Sequence, residues 1–304
     1  MAILSANVAN LYDARINKAF YSYLNLYPEE YTNWCEKLSS KKQYEKVSLF
    51  GELPMPSLVG EYENTPETGF VQGPVRTWTH VKYGFTLIAP EESIEDDLFD
   101  MIVGTAGKMG VAMRHRIETQ GAYDLNNAFT VATVGKSDTA DEYLIQRNHA
   151  TFTGAGGSAQ HNAPATDVTL GADSLWAGVD NFSSLKDHEG NPIMAMPKKV
   201  IIHPANERTI IEILKSIEVP YKTTNEINAI KSRGLSYVIG HYLTSSTAWY
   251  LVTDEKPIRF YMRRPPTVKP EPVIRNDSRT WTITARLSHA PYDWYQIYGT
   301  DGAP

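Results

Sequence analysis

The chain has 304 residues, is 42% hydrophobic and 21% charged, and carries a net charge of −6 with one cysteine. That length supports a sizeable core or two linked subdomains, while no apolar run approaches the roughly eighteen residues that a membrane-spanning helix needs. No basic block is present, which argues against a protein that grips nucleic acid by releasing counterions. The opening MAILSANVANLYDARINKAF lacks a basic stretch followed by an apolar one, so no secretory leader is expected. The lone Cys35 rules out an internal disulfide framework, fits a reducing cytoplasm, and reads as a buried small hydrophobe beside Trp34.

Residues 7–26 place Val8, Leu11, Ile16, Phe20, Tyr23 and Leu24 at loosely helical spacing, with Pro28 as the stop. This segment is either an N-terminal layer of the fold or an arm for a neighbouring subunit. Residues 51–73 are rich in proline and glycine and poor in large apolar side chains. A clean alternation follows, with Val75, Thr77, Thr79, Val81, Tyr83, Phe85 and Leu87 on one face and Arg76, Trp78, His80, Lys82 and Thr86 on the other, which predicts one long strand. Residues 58–63 are its candidate antiparallel mate, with the turn at 64–71. Such an arm cannot bury enough surface alone, so another copy of the chain is the expected cover.

Residues 93–129 read as one long helix, with acidic residues Glu91, Glu92, Glu95, Asp96 and Asp97 crowding its start as the helix dipole favours. Gly104, Gly107 and Gly110 weaken that helix but recur every third residue, which would let another backbone approach closely. Residues 130–191 show few strong elements, and KDHEGNP (186–192) is a turn signal. A compact α+β unit follows: strand 199–203, helix 205–216, and strands at 235–239, 249–252 and 258–262, the last two joined by a turn at 254–257. Arg263, Arg264, Pro265 and Pro266 punctuate the chain, and residues 280–287 alternate as a final strong strand.

Catalytic signatures are missing. GAGGSAQ (154–160) lacks the lysine and hydroxyl of a phosphate-binding loop. The eight histidines form no pair at metal-ligand spacing, and no nucleophile elbow appears. His149 and His161, which flank the glycine loop, are the best candidates for a hidden site; no catalytic residue, cofactor or metal is assigned.

The order of parts, an arm, a long hairpin, a long helix, a loop-rich stretch, an α+β unit and a returning strand, resembles the Hong Kong 97-type fold of tailed-phage head proteins. Local stretches narrow the resemblance to the Mu-like major head subunit family: YPEEYTNW (27–34), TWTHVKYGFTLIAP (77–90), EDDLFDMI (95–102), LNNAF (125–129), GNPI (190–193), KVIIHP (199–204), AWYLVTDEKPIRFY (248–261) and DWYQIYG (293–299). The resemblance implies an α+β chain divided into an arm and the start of a peripheral domain (1–50), an extended loop (51–81), a peripheral domain with the spine helix (82–198), an axial domain (199–264) and a return strand of the peripheral domain (265–304). It implies a structural head protein and not an enzyme, building hexamers and pentamers of an icosahedral or prolate shell around double-stranded DNA that is not read by sequence. Its partners would be further copies of itself, a separate scaffold, a portal and, as an option, a decoration protein, with assembly in the host cytoplasm. An encapsulin-like compartment is the rival within the fold, and a hydrolase or binding protein the rival outside it.

The residues expected to make contacts between subunits are Glu61, Glu63, Glu67, Phe70, Arg76 and Trp78 on the extended arm and Lys108, Arg114 and Arg116 on the helix. The acidic loop is expected to seat on a neighbour's basic surface supplied by those last three. No lysine lies between Lys46 and Lys82, so the isopeptide crosslink that some phages of this fold make from their extended loop is not expected here.

Overall fold

The computed structural model describes residues 5–51, 53–69, 72–96, 100–131, 142–150, 158–220 and 226–302. Helix α1 (Ser5–Leu24) opens the chain, then β1 (Cys35–Ser39) and the hairpin strands β2 (Tyr44–Phe50) and β3 (Gln72–Thr79). β4 (Val81–Pro90), the short α2 (Glu91–Glu95), α3 (Met101–Asn126) and α4 (Ala172–Ser184) come next. β5 (Lys199–Ile202), α5 (Glu207–Lys215), α6 (Ala229–Ser232), β6 (Ser236–Ile239), β7 (Trp249–Val252), β8 (Ile258–Val273), β9 (Ser278–Pro291) and β10 (Ile297–Thr300) follow. Two four-stranded sheets result, ordered β1-β8-β9-β4 and β10-β7-β5-β6, together with the separate β2-β3 ribbon. The class is mixed α+β, as the sequence predicts.

The first sheet is organised by β9, which lies between β8 and β4. Its alternating row Trp281, Ile283, Ala285 and Leu287 is wholly buried, and each faces a residue of β4 in register, Leu87, Phe85, Tyr83 and Val81. β8 does not stop at Arg263–Pro266 as the sequence suggests. The register shifts there, leaving Arg263, Pro265 and Pro266 outside the paired positions as bulged residues. β1 pairs with β8 only as far as Met262, so Pro270 and Pro272 fall on an open edge, where a missing N–H is tolerated.

Three further sequence expectations are corrected. The predicted strand 75–87 breaks at His80 into β3 and β4, which belong to different sheets. The mate of β3 is β2 and not residues 58–63, which carry no strand. The turn at 254–257 does not close a hairpin: β7 lies in the second sheet and β8 in the first.

The second sheet also draws in two segments that the expected divisions 82–198 and 265–304 place elsewhere. β10 pairs with β7, and α4 lies close against both, since a Cβ added at Gly178 would sit 2.6 Å from Leu251 and 3.0 Å from Tyr298. Apolar Leu175, Val179 and Phe182 line the buried side of α4 at helical spacing.

The predicted helix 93–129 is two helices, α2 and α3, and α3 begins after Asp100, whose φ of +52° is left-handed. α1 and α3 run side by side in one direction, with Arg15, midway along α1, bound to Asp100 just before α3, and Leu24, at the end of α1, bound to Arg114 further along α3. The glycine spacing allows this approach. A Cβ at Gly110 would stand 2.4 Å from the Phe20 carbonyl oxygen, and one at Gly107 would meet the Tyr23 ring at 2.9 Å. Gly104 has nothing within 4 Å. Asp13 fastens α1 to β9 as well, accepting from the Trp281 indole at 2.8 Å and from the Arg279 guanidinium. Thus the first helix lies on its own chain's spine helix and sheet.

Buried Arg114 seals the end of this contact. Its Nε donates to the Leu24 carbonyl at 2.9 Å, its Nη1 to Glu29 at 3.1 Å, and Glu118 stands 3.8 Å away. Glu118 in turn accepts the Tyr31 amide at 3.0 Å. Burial raises the Glu29 carboxyl, but hydrogen bonds and charge from Lys37 and Arg114 outweigh it and hold Glu29 below the usual carboxylate range. For Glu118 burial wins and pushes the group up to about 7, against the Tyr31 amide and Arg114. Cys35 is buried here as expected, its thiol raised by burial and donating to the Gly121 carbonyl at 3.4 Å.

Two predictions follow from this packing. Gly110→Ala forces backbone apart and should lower stability by about 1–3 kcal/mol, whereas Gly104→Ala, in open space on a helix, should raise it by up to about 1 kcal/mol; urea unfolding of the unassembled subunit gives both signs. Unfolded glutamate titrates near 4.5, so between that value and about 7 the folded subunit holds a proton on Glu118 that the unfolded chain releases. Raising pH through this window therefore costs stability, on the order of 3 kcal/mol in full, and the loss levels off above it. Glu118→Gln keeps an acceptor for Tyr31 without charge and should flatten that slope; a wild-type stability that does not fall across the window would contradict the assignment.

Candidate functional site

β2 and β3 carry between them a loop whose described residues are 51 and 53–69. Residues 53–69 are exposed throughout apart from half-buried Val59, and Leu58 and Tyr62 are 100% and 105% exposed. Among the described residues the loop is held by one internal turn, in which the Glu63 amide donates to the Gly60 carbonyl at 3.2 Å and the Gly60 amide to the Glu63 carboxylate at 3.0 Å. Glu61 and Glu67 are exposed and make no hydrogen bond or ion pair among the described residues. Glu52 and Phe70 lie outside the described residues. Arg76 and Trp78 occupy β3, half-buried, opposite Val47 and Glu45.

His80 is the single residue between β3 and β4. It is buried, with Nε2 3.1 Å from the Ser40 hydroxyl and Nδ1 2.9 Å from the Ser288 hydroxyl. Ser40 donates onward to Glu45 of β2 at 2.5 Å. Burial pushes the imidazole below the usual histidine range, against the pull of the Glu45 carboxylate. The root of the arm is therefore tied to β9 and to the end of β1 by one side chain.

Beyond His80 the first sheet has two unlike faces. Tyr83, Phe85 and Leu87 turn toward the core under α1 and α3. The alternate residues of β4 turn the other way: Lys82, Thr86 and Ile88 are exposed, and their register partners on β9 are Arg286, Thr282 and Thr280. This outer face carries Lys82, Arg286, Arg264 and Lys269 among threonines, with Glu271 opposite Thr280.

The three α3 cations separate in the structure. Lys108 is exposed, and Arg116 is exposed with its guanidinium over the Tyr83 ring, 4.3 Å from the centroid. Arg114 is 4% exposed and committed to Leu24 and Glu29, so its expected role on a subunit surface is corrected: it is an internal clamp. The structure thus gathers the loop acids on one projection and leaves two of the three helix cations accessible. Sequence reasoning did not single out Lys82, Arg264 or Arg286, because their juxtaposition depends on a strand register that no local pattern reveals.

The candidates for chemistry dissolve into structure. His149 is buried and stacked on Trp294 with ring centroids 4.0 Å apart. Its Nδ1 lies 2.8 Å from Glu142 and its Nε2 2.9 Å from the Asn162 oxygen, while the Asn162 amide donates to the carbonyls of Leu144, Trp294 and Ile297. That network fastens Glu142, Leu144, His149 and Asn162 onto Trp294 and Ile297 near the C-terminus. His161 is exposed and does not join it. The GAGGSAQ loop falls largely outside the described residues. A cleft of about 390 Å³ is lined by Glu36, Lys256, Arg259, Tyr292 and Asp293 among others, with Arg259 stacked 3.4 Å from the Tyr292 centroid. Among the described residues no group of three or more potential metal ligands gathers.

A family model described as phage capsid protein matches residues 75–299. A search of curated protein sequences found no match. Solved structures share the fold at low identity. The capsid of cyanophage P-SCSP1u is 9% identical with a TM-score of 0.58, covering 89% of this chain and 86% of that one. The procapsid of bacteriophage JBD30 is 13% identical at 0.51, covering 99% and 77%. A virus-like particle from Pyrococcus furiosus is 9% identical at 0.53, covering 95% and 99%. With the match spanning β3 to β10, the chain belongs to the phage capsid protein family and is a shell-forming structural protein of the phage head.

Proposed function

We propose that this subunit assembles with copies of itself into the hexamers and pentamers of a closed icosahedral or prolate head around double-stranded DNA, without catalysing a reaction. The observation that carries this reading is the arm: a ribbon whose loop displays wholly exposed Leu58 and Tyr62 and finds no cover among the described residues. Isolated two-stranded ribbons are marginal in water, so a neighbouring copy is what makes the arm worth forming. On this reading residues around the first sheet, α1 and α3 form the peripheral domain and those around the second sheet the axial domain. A contact between two different surfaces of the same chain repeats by rotation and closes into rings, and many modest contacts per subunit multiply.

A net charge of −6 suits a container, since packaged DNA then meets little nonspecific attraction at the wall. Assembly would take place in the host cytoplasm with a separate scaffold and a portal. The family match favours the phage head over an encapsulin-like compartment.

Expression alone, followed by negative-stain electron microscopy and light scattering, should give shells, rings of five or six, or hexamer sheets. Persistent monomers even with the cognate scaffold would overturn the assembly reading. Removing residues 54–68 should leave unfolding of the subunit unchanged, because the loop adds nothing to the core, yet abolish closed particles. Shells formed without the loop would contradict its assigned role.

A further inference from the structure

We infer that residues 193–198 form an open strand edge that takes an extended, acidic segment of a separate protein by strand addition. Pro192, Met194, Met196 and Lys198 are exposed while Ala195 and Pro197 are buried, which is the two-residue period of a β-strand. The segment nevertheless belongs to no sheet. It runs directly into β5, which has β7 on one side and β6 on the other, but the register with both begins only at Lys199. The Lys198 amide donates to the Val252 carbonyl at 2.9 Å, and its carbonyl accepts from the Ser236 amide at 3.0 Å. At the other end the Ile193 amide donates to the Leu185 carbonyl at 2.9 Å. Between these ties the amides of Met194, Ala195 and Met196 and the carbonyls of residues 193–197 meet no partner among the described residues. An unpaired row of backbone donors and acceptors is a template for another strand.

Beside the segment, where β7 and β6 have ended, the surface is hollow on both sides. A cleft of about 320 Å³ lies against Thr253, Asp254 and Glu255, and one of about 210 Å³ against Val179, Arg233 and Leu235. Met194 and Met196 stand over the edge, 100% and 53% exposed, and flexible thioether side chains adapt to varied apolar partners. In strand addition the main chain supplies affinity and the flanking pockets choose the side chains. Here the smaller cleft sets the partner's charge. Lys198 and Arg233 are its cations, its other lining side chains are apolar, and among the described residues neither cation has a carboxylate partner. Arg233 rests on the Trp176 ring, 5.0 Å from the centroid, which presents the charge without neutralising it. The larger cleft carries Asp254 and Glu255, so an acidic segment is directed to the smaller one. A second copy fits less well. The chain's own acidic and apolar run, residues 58–63, is bent by the turn between Gly60 and Glu63, with Tyr62 at a φ of +70°, and is not an extended strand. Pairing this edge with itself would bring the same cations together, so the charges select a separate chain.

The probe is a blocked, fluorescently labelled hexapeptide of alternating valine and glutamate, titrated against the full-length unassembled subunit. Saturable binding with a Kd below about 1 mM is expected, together with slowed hydrogen exchange at the amides of Met194–Met196. Methylating alternate peptide nitrogens removes main-chain donors and should weaken binding by at least about tenfold. K198E/R233E should weaken it as much and should instead prefer the valine–lysine counterpart. Both altered side chains are exposed, and the methylated peptide decides without any variant. No saturable binding, equal binding of the acidic and basic peptides, or protection elsewhere than Met194–Met196 would overturn the proposal. Protection that rises with subunit concentration in the absence of peptide would assign the edge to a second copy, and displacement by an equal concentration of a thymidine hexanucleotide would assign the cleft to nucleic acid; either result also overturns it. None of these measurements requires shells, so the proposal and the assembly reading stand or fall separately.

Discussion

Two neighbours of β9 fix the position of nearly everything else. On one side β8 pairs with it from Ile258 to Val273, and on the other β4 pairs with it over its full length. Its buried row supplies the floor on which α1 and α3 rest, and Asp13 is drawn to that floor by Trp281 and Arg279. Because side chains alternate strictly along a strand, a slip of one residue in β9 would exchange Trp281, Ile283, Ala285 and Leu287 for threonines and an arginine. Register in this strand is thus enforced by burial on one face, and the positions on the other face follow without being chosen locally.

The spine helix shows a trade of local against tertiary stability. Glycines in a helix cost about 1 kcal/mol each relative to alanine, yet Gly107 and Gly110 bring α1 to within backbone contact. Close approach then leaves the carbonyl of Leu24 needing a donor, and Arg114 supplies it from the same helix. Once buried, that guanidinium needs an anion, which Glu29 provides.

Much of this was legible in the sequence because it depends on local period. β9, β7, α5 and the N-terminal helix declare themselves by alternation or helical spacing, and Asp187, with Glu189, Gly190 and Asn191, makes the turn that KDHEGNP announces. What was not legible depends on partners distant in sequence. The alternation from Val75 to Leu87 continues unbroken through His80, so only the separate mates β2 and β9 reveal two strands. The Arg263–Pro266 run looks like an ending because its tolerance requires an open edge and a bulge, both properties of the sheet. α4 went unseen because glycine, serine, aspartate and asparagine dilute its helix propensity, although Leu175, Val179 and Phe182 carried a usable signal. For the site, the acidic loop could be read from composition, whereas the exposed or buried fate of three cations on one helix could not.

The one-residue joint at His80 has a mechanical meaning. A pull on the arm enters the first sheet at two roots, through residues 40–43 into β1 and through His80 into β4, along the axis of each strand. Antiparallel hydrogen bonds run perpendicular to their strands, so the ten residues of β4 resist sliding past β9 together and not one after another. Tension on the arm would therefore load β4 in shear, the direction in which its hydrogen bonds to β9 act together.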